Sequence, residues 1–219
     1  MVIAIDGPAG SGKSTTAKFV AEKLGFIHIN TGAMYRGIAL KCIQGDINME
    51  NSSQLNHLLT NTKFKFAKEG GSTLVMDGVD ISAEITSAQV TDFVSYVSTI
   101  SAVREKLVQY QRDMAEGIDV VLEGRDIGTV VFPNAEYKFF LVADIHERAK
   151  RRKKEMDAKG EVVSLEELTS EMEERDRKDS TRKHSPLKKA EDAVEIDTTG
   201  ISIEEQVNRI VEIVNKTIK

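Results

Sequence analysis

The sequence has only one cysteine among its 219 residues, and it lacks the features that mark a secreted or membrane protein. The lone thiol of Cys42 cannot form an internal disulfide, and the chain runs directly into the apolar segment 2–5 without a basic region or a cleavage site. No stretch approaches the ~18 consecutive apolar residues that a membrane-spanning helix needs. We therefore expect a cytoplasmic protein that has no membrane partner.

An excess of positive charge is also missing, because 30 Lys and Arg stand against 35 Asp and Glu and give a net charge of -5. Generic nucleic-acid binding depends on a strong basic excess, so we expect no nucleic-acid partner. Hydrophobic residues make up 40% of the chain and charged residues 30%, a balance typical of globular proteins. The length predicts a single domain over residues 1–219, and we expect a monomer.

Short apolar runs alternate with helical patterns along the chain. The apolar runs predict strands over 2–6, 120–122, 138–142 and 193–196. Capping boxes at 86–89, 164–167 and 202–205 predict helices over about 87–99, 165–183 and 203–217. Strands that alternate with helices favour an α/β fold in which helices flank a parallel sheet. Between residues 45 and 80, short β-prone pieces broken by Gly70-Gly71 and Asp77-Gly78 predict a small strand-containing insertion.

A phosphate-binding motif follows the first predicted strand. Residues 7–14, Gly-Pro-Ala-Gly-Ser-Gly-Lys-Ser, fit the P-loop pattern G-x-x-x-x-G-K-[ST] and open a helix. The backbone N–H groups of such a loop surround phosphates, and the helix N-terminus adds a partial positive charge. Lys13 is expected to reach the β- and γ-phosphates of ATP, and the Ser14 hydroxyl to bind Mg²⁺. The predicted ATP-binding residues are Gly7, Pro8, Ala9, Gly10, Ser11, Gly12, Lys13, Ser14 and Thr15.

The P-loop identifies the phosphate donor but leaves the reaction open, because GTPases, ATPases and small-molecule kinases share it. Residues 197–200 match the D-x-x-G pattern of GTPase switches, but they follow the last predicted strand and the chain has no N-K-x-D guanine motif. A GTP-dependent switch is therefore disfavoured. Two alternatives stay open beside a nucleotide kinase: a P-loop kinase for another small acceptor, and a nucleotide-binding regulatory module.

Several arginines lie on glycine-bearing turns or beside acidic residues. Arg125 follows a buried-type strand by two residues, at the carboxyl edge of the sheet where α/β proteins bind ligands. Arg36 lies near the carboxyl end of the second strand, on the same edge. Arg175 and Arg182 flank Asp179. Two phosphate-bearing ligands that meet head-on need several cations in one cleft, and guanidinium groups suit that task better than ammonium groups do.

A highly charged pair of helices is predicted over residues 146–183. Segment 147–154 carries six basic residues against one acid, and the helix that follows has almost no apolar stripe from 171 to 183. Such a pair can bury little apolar surface by itself, so we expect it to be mobile and to close over ligands. This is the behaviour of a lid.

Four motifs together resemble bacterial cytidylate kinases. They are T-G-A-M-Y-R at 31–36, G-R-D-I-G-T-V-V-F-P at 124–133, R-x-x-x-D-x-x-R at 175–182 and I-D-T-T-G at 196–200. The resemblance covers essentially the whole chain and implies transfer of the γ-phosphoryl group of ATP to CMP or dCMP, a step of pyrimidine nucleotide metabolism. It also implies a P-loop kinase fold with a core, a monophosphate-binding region over about 31–105 and a lid over about 146–183.

The resemblance also implies roles for particular residues. The residues implied to bind the acceptor phosphate are Arg36, Arg125 and Arg182. Those implied to lie near the sugar are Arg175 and Asp179. Those implied to read the cytosine are Ser95, Arg104 and Asp126, and Thr31 completes the substrate-binding set. The lid arginines expected to close on the ATP phosphates are Arg148 and Arg152. One departure is visible, because Glu123 stands where the family pattern has aspartate before Gly-Arg-Asp.

The expected chemistry needs no general base. The second pKa of a phosphomonoester is about 6, so the acceptor oxygen is largely anionic near neutral pH. The four histidines show no companion pattern of a catalytic dyad, and we interpret His28, His57, His146 and His184 as structural or surface residues. Catalysis is expected to come from positioning and charge neutralisation. The residues assigned to that task are Lys13, Arg125, Arg148, Arg152 and Arg175.

Overall fold

The computed structural model describes residues 1–66, 73–158 and 160–218 of the chain. The described residues form eight strands, which are β1 (Val2–Asp6), β2 (Ile27–Asn30), β3 (Phe64–Phe66), β4 (Leu74–Met76), β5 (Val79–Asp80), β6 (Val120–Gly124), β7 (Tyr137–Val142) and β8 (Val194–Asp197). They also form eight α-helices, which are α1 (Lys13–Leu24), α2 (Thr31–Gln44), α3 (Ser52–Thr60), α4 (Ala88–Val97), α5 (Ser101–Ala115), α6 (Ile145–Asp157), α7 (Leu165–Thr181) and α8 (Ile203–Ile218).

A five-stranded parallel sheet in the order β2-β6-β1-β7-β8 forms the centre of the molecule. Alternate residues of β1 enter two separate hydrophobic cores. Ala4 packs in the core that α2, α4 and α5 cover, whereas Ile3 and Ile5 pack in the core that α1 and α8 cover. Burial on both faces explains why the central strands are continuous apolar runs. The α/β fold predicted from the sequence, with helices flanking a parallel sheet, is confirmed.

The insertion carries the second sheet, which is antiparallel and has the order β3-β4-β5. Phe64 and Leu74 of this sheet share one hydrophobic core with Met34 of α2, so the insertion packs on the central sheet's helices. The predicted strands are therefore confirmed, while the expected break at Gly70-Gly71 lies outside the described residues. Helix α3 was not predicted. Its N-cap is Asn51, whose side chain accepts hydrogen bonds from the backbone N–H groups of residues 53 and 54.

The helices predicted from capping boxes are present as α4, α7 and α8. Two of the boxes form as expected, because Ser164 exchanges hydrogen bonds with Glu167 and Ser202 does so with Glu205. The box at 86–89 is wrong by one residue, since Ser87 is the residue that caps α4. No helix in the part of the chain that the structure describes is long and apolar enough to cross a bilayer.

Helices α6 and α7 pack against each other through a small cluster of their own. Ala149, Leu168 and Met172 form the buried part of this cluster, and Ala9 of the P-loop packs against it. The helical pair predicted over residues 146–183 is thus present, and it buries few apolar side chains. Segments with few buried contacts typically open at a low cost in free energy. The small cluster is compatible with a mobile lid, and the mobility itself stays a prediction.

The turn after β6 is held by a buried carboxylate at the end of β1. The two oxygens of Asp6 accept hydrogen bonds from the backbone N–H groups of Ile127 (2.9 Å) and Gly128 (2.8 Å). Residues 127–131 form one π-helical turn directly after Arg125 and Asp126. The strand that leads into the P-loop is therefore bonded to the segment that carries these two side chains.

The buried Asp6 carboxyl makes stability depend on pH. Burial raises the pKa of Asp6 to about 6, although the N–H groups of Gly128 and Ile127 oppose the shift. An unfolded aspartate titrates near pH 4, so the folded protein binds more protons than the unfolded protein between about pH 4 and pH 6. We therefore expect Asp6 to reduce the free energy of unfolding by on the order of 3 kcal/mol as the pH rises through this window.

Urea unfolding of the parent and of Asp6→Asn at pH 4, 5, 6 and 7 checks this expectation. The parent should lose stability relative to the variant as the pH rises from about 4 to about 6, because asparagine does not titrate. A difference in unfolding free energy that stays constant over this range would contradict the role given to the Asp6 carboxyl.

Candidate active site

The P-loop lies between β1 and α1 and has little freedom to move. A Cβ atom at Gly7 would collide with the carbonyl oxygen of Leu141 in β7, so the loop backbone touches the neighbouring strand directly. Gly12 precedes α1 with φ 86°, a left-handed conformation that favours glycine. The two glycines fix the loop so that it leads from the carboxyl edge of the sheet into the N-terminus of α1.

The two functional side chains at the start of α1 already have partners. Lys13 is buried, and its Nζ donates a hydrogen bond to the carbonyl oxygen of Pro8 at 3.1 Å. Burial and the charge of Arg125 lower the pKa of Lys13 to about 7, against the opposing effect of Glu123. The Ser14 hydroxyl donates to Oε2 of Glu123 at 2.5 Å. An anion bound in the loop would favour the charged form of Lys13.

Glu123 is a buried carboxylate, 2% exposed, near the carboxyl end of β6. Besides the hydrogen bond from Ser14 to Oε2, its Oε1 lies 3.3 Å from Nε2 of His28 in β2. Burial would raise the pKa of Glu123, but His28, Lys13 and Ser14 together hold this pKa below its usual range. The protein thus keeps a negative charge directly behind the Ser14 hydroxyl.

A cleft of about 1180 Å³ opens over the P-loop, between the core and helices α6 and α7. Most of the predicted ATP-binding residues line it, namely Ala9, Gly10, Gly12, Lys13, Ser14 and Thr15. The arginines in its lining are Arg36, Arg125, Arg151, Arg152 and Arg175. The remaining predicted ATP-binding residues, Gly7, Pro8 and Ser11, do not line this cleft.

A second cleft brings together every substrate-binding residue predicted from the sequence. Its lining includes Thr31, Arg36, Ser95, Arg104, Arg125, Asp126, Arg175, Asp179 and Arg182. These residues come from α2, α4, α5, α7 and the segments that follow β6 and α7. Because Arg36, Arg125 and Arg175 also line the larger cleft, the two clefts meet at these three guanidinium groups.

Carboxylates hold the arginines of the second cleft in place. Arg125 donates from Nε to Asp179 at 2.9 Å, and Arg104 donates to Asp126. Arg182 lies 3.7 Å from both Asp126 and Asp179. Burial would raise the pKa of Asp179, but Arg125 holds it below its usual range, so both members of this pair are charged. The cleft therefore presents charged groups that are oriented before any ligand binds.

Two further arginines stand where the clefts meet. Arg36 donates from Nη1 to the Thr91 hydroxyl (2.8 Å) and to the carbonyl oxygen of Ile85 (3.2 Å). Burial and the neighbouring charges of Arg175 and Arg152 lower the pKa of Arg36 to about 10. The Nε atom of Arg175 is buried and has no hydrogen-bond partner among the described residues. Crowded, partly unpaired cations of this kind favour the binding of an anion.

The lid arginines differ in where their side chains lie. Arg148 is buried, donates to the carbonyl oxygen of Ala9 at 3.1 Å and pairs with Asp176 of α7 at 2.6 Å. It therefore joins both lid helices to the P-loop and does not line the larger cleft. Arg152, the other predicted lid residue, does line that cleft. So does Arg151, which the sequence analysis did not single out and whose guanidinium also donates to the backbone and hydroxyl oxygens of Thr198.

Comparison with known proteins gives one consistent result. A family model described as cytidylate kinase matches residues 3–216. A cytidylate kinase of Pediococcus pentosaceus is 48% identical over 218 residues, which cover 99% of this chain and 96% of that protein. A cytidylate kinase of Desulforamulus reducens is 51% identical over 214 residues, which cover 98% of this chain and 96% of that protein.

Among solved structures, an uncharacterised protein from Eubacterium ventriosum has a TM-score of 0.54 at 14% identity, with 98% of both chains covered. This likeness concerns the fold alone. The family match and the full-length sequence relatives go further, and they agree with the P-loop and the paired clefts described above. The chain therefore belongs to the cytidylate kinase family.

Proposed function

We propose that this protein transfers the γ-phosphoryl group of ATP to CMP or dCMP, giving CDP or dCDP and ADP. The observation that carries this proposal is the meeting of two clefts at Arg36, Arg125 and Arg175. One cleft contains the P-loop and the other contains the predicted acceptor residues, so two phosphate-bearing ligands would meet head-on between the three guanidinium groups. Membership of the cytidylate kinase family supports the choice of donor and acceptor.

The larger cleft is the proposed ATP site. The backbone N–H groups of the P-loop and the N-terminus of α1 would bind the phosphates. Lys13 would exchange the Pro8 carbonyl for the β- and γ-phosphates and become fully charged as it does so. Arg151 and Arg152 would approach the same phosphates from α6, while Arg148 would keep the lid aligned with the loop through Ala9. In-line positioning and charge neutralisation would then supply catalysis.

The residues beside the P-loop fit a magnesium ion. Mg²⁺ prefers oxygen ligands and is usually bound by one or two protein groups together with substrate phosphates. The Ser14 hydroxyl lines the large cleft and offers such an oxygen, and the buried Glu123 carboxylate is hydrogen-bonded behind it. No group of three or more His, Cys, Asp or Glu side chains that could hold a metal ion occurs in the ranges that the structure describes. When bound, the ion would neutralise charge on the transferring phosphoryl group.

The second cleft is the proposed acceptor site. Arg36, Arg125 and Arg182 would bind the phosphate of CMP. Arg175 and Asp179 would lie on the sugar side of that phosphate, where Arg175 also faces the junction of the two clefts. The acceptor oxygen is already largely anionic near neutral pH, so the site needs no general base. Arg125 would act on both ligands, because it lines both clefts and Asp179 holds its side chain at their junction.

Cytosine recognition is assigned to Ser95, Arg104 and Asp126. Cytosine carries an amino donor beside ring acceptors, and the Asp126 carboxylate can only accept while the Arg104 guanidinium can only donate. The ion pair between these two side chains, together with the Tyr35 ring 5.4 Å from the Arg104 guanidinium, supports a preorganised arrangement. A uracil base would turn a carbonyl toward the carboxylate, which leaves buried polar groups unpaired.

We also propose that the enzyme is a cytoplasmic monomer with one kinase domain over residues 1–219. Its parts would be the P-loop core, the monophosphate-binding region over about 31–105 and the lid over about 146–183. The shared hydrophobic core of the insertion and α2 supports the single domain.

One assay tests the assignment of the reaction. Coupled detection of ADP release, with ATP and each of CMP, dCMP, UMP, AMP and GMP, should give efficient turnover of CMP and dCMP only. Preference for a different acceptor would favour the broader class of small-molecule kinases. Slow turnover with every acceptor would favour a regulatory nucleotide-binding module.

Replacing Lys13 by alanine should remove nearly all turnover and leave the fold intact. The ammonium group meets charge that develops on the γ-phosphoryl group, and loss of one preorganised electrostatic donor reduces kcat by on the order of 100-fold or more. Lys23→Ala, at the exposed opposite end of α1, is the matched control and should retain parental kcat. Activity of Lys13→Ala within threefold of the parent would overturn the P-loop assignment.

Removing an acceptor-phosphate arginine should weaken one substrate selectively. Arg36→Ala and Arg182→Ala should each raise the KM for CMP by about tenfold to a hundredfold, because a charged hydrogen bond is worth roughly 1.5 to 3 kcal/mol. The KM for ATP should change far less, most clearly in the Arg182 variant, since Arg182 lines only the second cleft. Arg177→Ala, an exposed arginine of α7, is the control. A larger shift in the KM for ATP would show that the map of the acceptor site is wrong.

Replacing Asp126 by alanine should narrow the discrimination between CMP and UMP. The parent should show much lower kcat/KM for UMP than for CMP, and the variant should lose more activity with CMP than with UMP. Asp126 also contacts Arg104 and Arg182, so a general loss of activity is expected, and only the ratio of the two kcat/KM values reports base recognition. An unchanged ratio would remove Asp126 from the base-reading role.

A further inference from the structure

Two buried side chains, His28 and Glu123, form a line that leads from the edge strand β2 to the exposed Ser14 at the start of α1. His28 lies in β2, and its Nε2 atom is 3.3 Å from Oε1 of Glu123 in the adjacent strand β6. Oε2 of the same carboxylate accepts the hydrogen bond of the Ser14 hydroxyl at 2.5 Å. The carboxylate is therefore contacted at one oxygen by His28 and at the other by Ser14. The proposed mechanism uses Ser14 but gives His28 no role.

The imidazole ring of His28 is buried, and few polar groups of the described residues lie near its two nitrogens. The imidazole is only 5% exposed, and neither of its nitrogens makes a well-aligned hydrogen bond within the described residues; nor does Oε1 of Glu123. A buried carboxylate oxygen without a donor is costly, and Nε2 of His28 lies 3.3 Å from Oε1. Because an ionised carboxylate only accepts, this contact is favourable when the ring hydrogen stands on Nε2.

The two contacts restrict how the Glu123 carboxylate can turn. The Glu123 side chain has several rotatable bonds, so a single hydrogen bond at one oxygen leaves the carboxylate free to rotate. A second contact at the other oxygen limits that rotation and keeps Oε2 on the Ser14 hydroxyl. His28, on the neighbouring strand and at the far oxygen, supplies that contact.

We propose that His28 is a positioning residue for the metal site, which holds the Glu123 carboxylate so that Ser14 is correctly oriented toward metal-bound ATP. The inference rests on the metal-binding role of Ser14 in the proposed function. His28 touches neither ATP nor the acceptor, and it acts through Glu123. Groups that orient a metal ligand from behind typically change metal affinity by about 10- to 100-fold when they are removed.

Two substitutions of His28 separate positioning from packing. His28→Leu fills similar space without a donor, whereas His28→Gln retains an amide donor at a position close to Nε2. ATP affinity is measured by calorimetry with Mg²⁺ and with EDTA, and turnover is measured as a function of Mg²⁺ concentration. His28→Leu should weaken the binding of ATP with Mg²⁺ by about tenfold, raise the Mg²⁺ requirement and leave metal-free ATP binding within about twofold. His28→Gln should restore most of the Mg²⁺ dependence.

The contact with Glu123 is tested by combining substitutions. If His28 acts through Glu123, the double variant His28→Leu/Glu123→Gln should bind ATP with Mg²⁺ no more weakly than Glu123→Gln alone. His57→Leu, an exposed histidine of α3, is the control and should match the parent in every measurement. Thermal unfolding of all variants accompanies the binding data, so that a loss of stability is recorded separately from a loss of metal dependence.

Two outcomes would overturn the inference. If His28→Leu lowers the Tm but leaves the ratio of the ATP affinities with and without Mg²⁺ unchanged, His28 only packs the interior. Additive effects of the His28 and Glu123 substitutions would likewise contradict action through Glu123. The variant Ser14→Ala distinguishes failure of the His28 role from failure of the proposed metal site. If Ser14→Ala keeps the parental Mg²⁺ dependence of ATP binding, both the metal-binding role of Ser14 and the positioning role of His28 are wrong. If Ser14→Ala loses this dependence but His28→Leu keeps it, only the role of His28 is wrong.

Discussion

The two hydrogen bonds that Asp6 accepts from Ile127 and Gly128 are the constraint on which the paired clefts depend. Asp6 ends the strand that enters the P-loop, and the bonded segment directly follows Arg125 and Asp126. The carboxyl edges of two neighbouring parallel strands are thereby fixed to each other by buried bonds as well as by the sheet. The P-loop and the segment that carries Arg125 and Asp126 are thus joined by these bonds, independently of the contacts that the lid and the insertion make.

Charge balance holds the side chains of the second cleft in place without a ligand. Several guanidinium groups in a partly buried space would repel one another, and the carboxylates of Asp126 and Asp179 offset that repulsion at fixed positions. An incoming phosphate adds negative charge to a site that is still cationic, so it can bind without complete rearrangement of these pairs. The same pairs restrict the side chains of Arg104, Arg125 and Arg182, which reduces the entropy lost on binding.

Much of the architecture was predictable because its signals are local in the sequence. The P-loop, the buried strands and two capping boxes each depend on a few adjacent residues, and the family motifs identified residues that the second cleft brings together. The features that the sequence did not predict depend on contacts between residues that are far apart in the sequence. Arg148, Arg151 and Arg152 lie on one helix, and only the packing of α7 and the P-loop decides which of them is buried. His28 gave no signal, since its partner is 95 residues away in sequence on an adjacent strand.

The lowered pKa of Lys13 has a consequence for selectivity between anions. With a pKa of about 7, a substantial share of this amine is uncharged in the empty protein near neutral pH. The empty loop therefore carries less positive charge than its residues would have if Lys13 were fully protonated. Lys13 becomes fully protonated only when a bound ligand supplies enough negative charge to stabilise the ammonium group. A monovalent ion such as chloride provides little of that potential, whereas a triphosphate provides much. The loop thus gains its full positive charge only when a highly charged anion is bound.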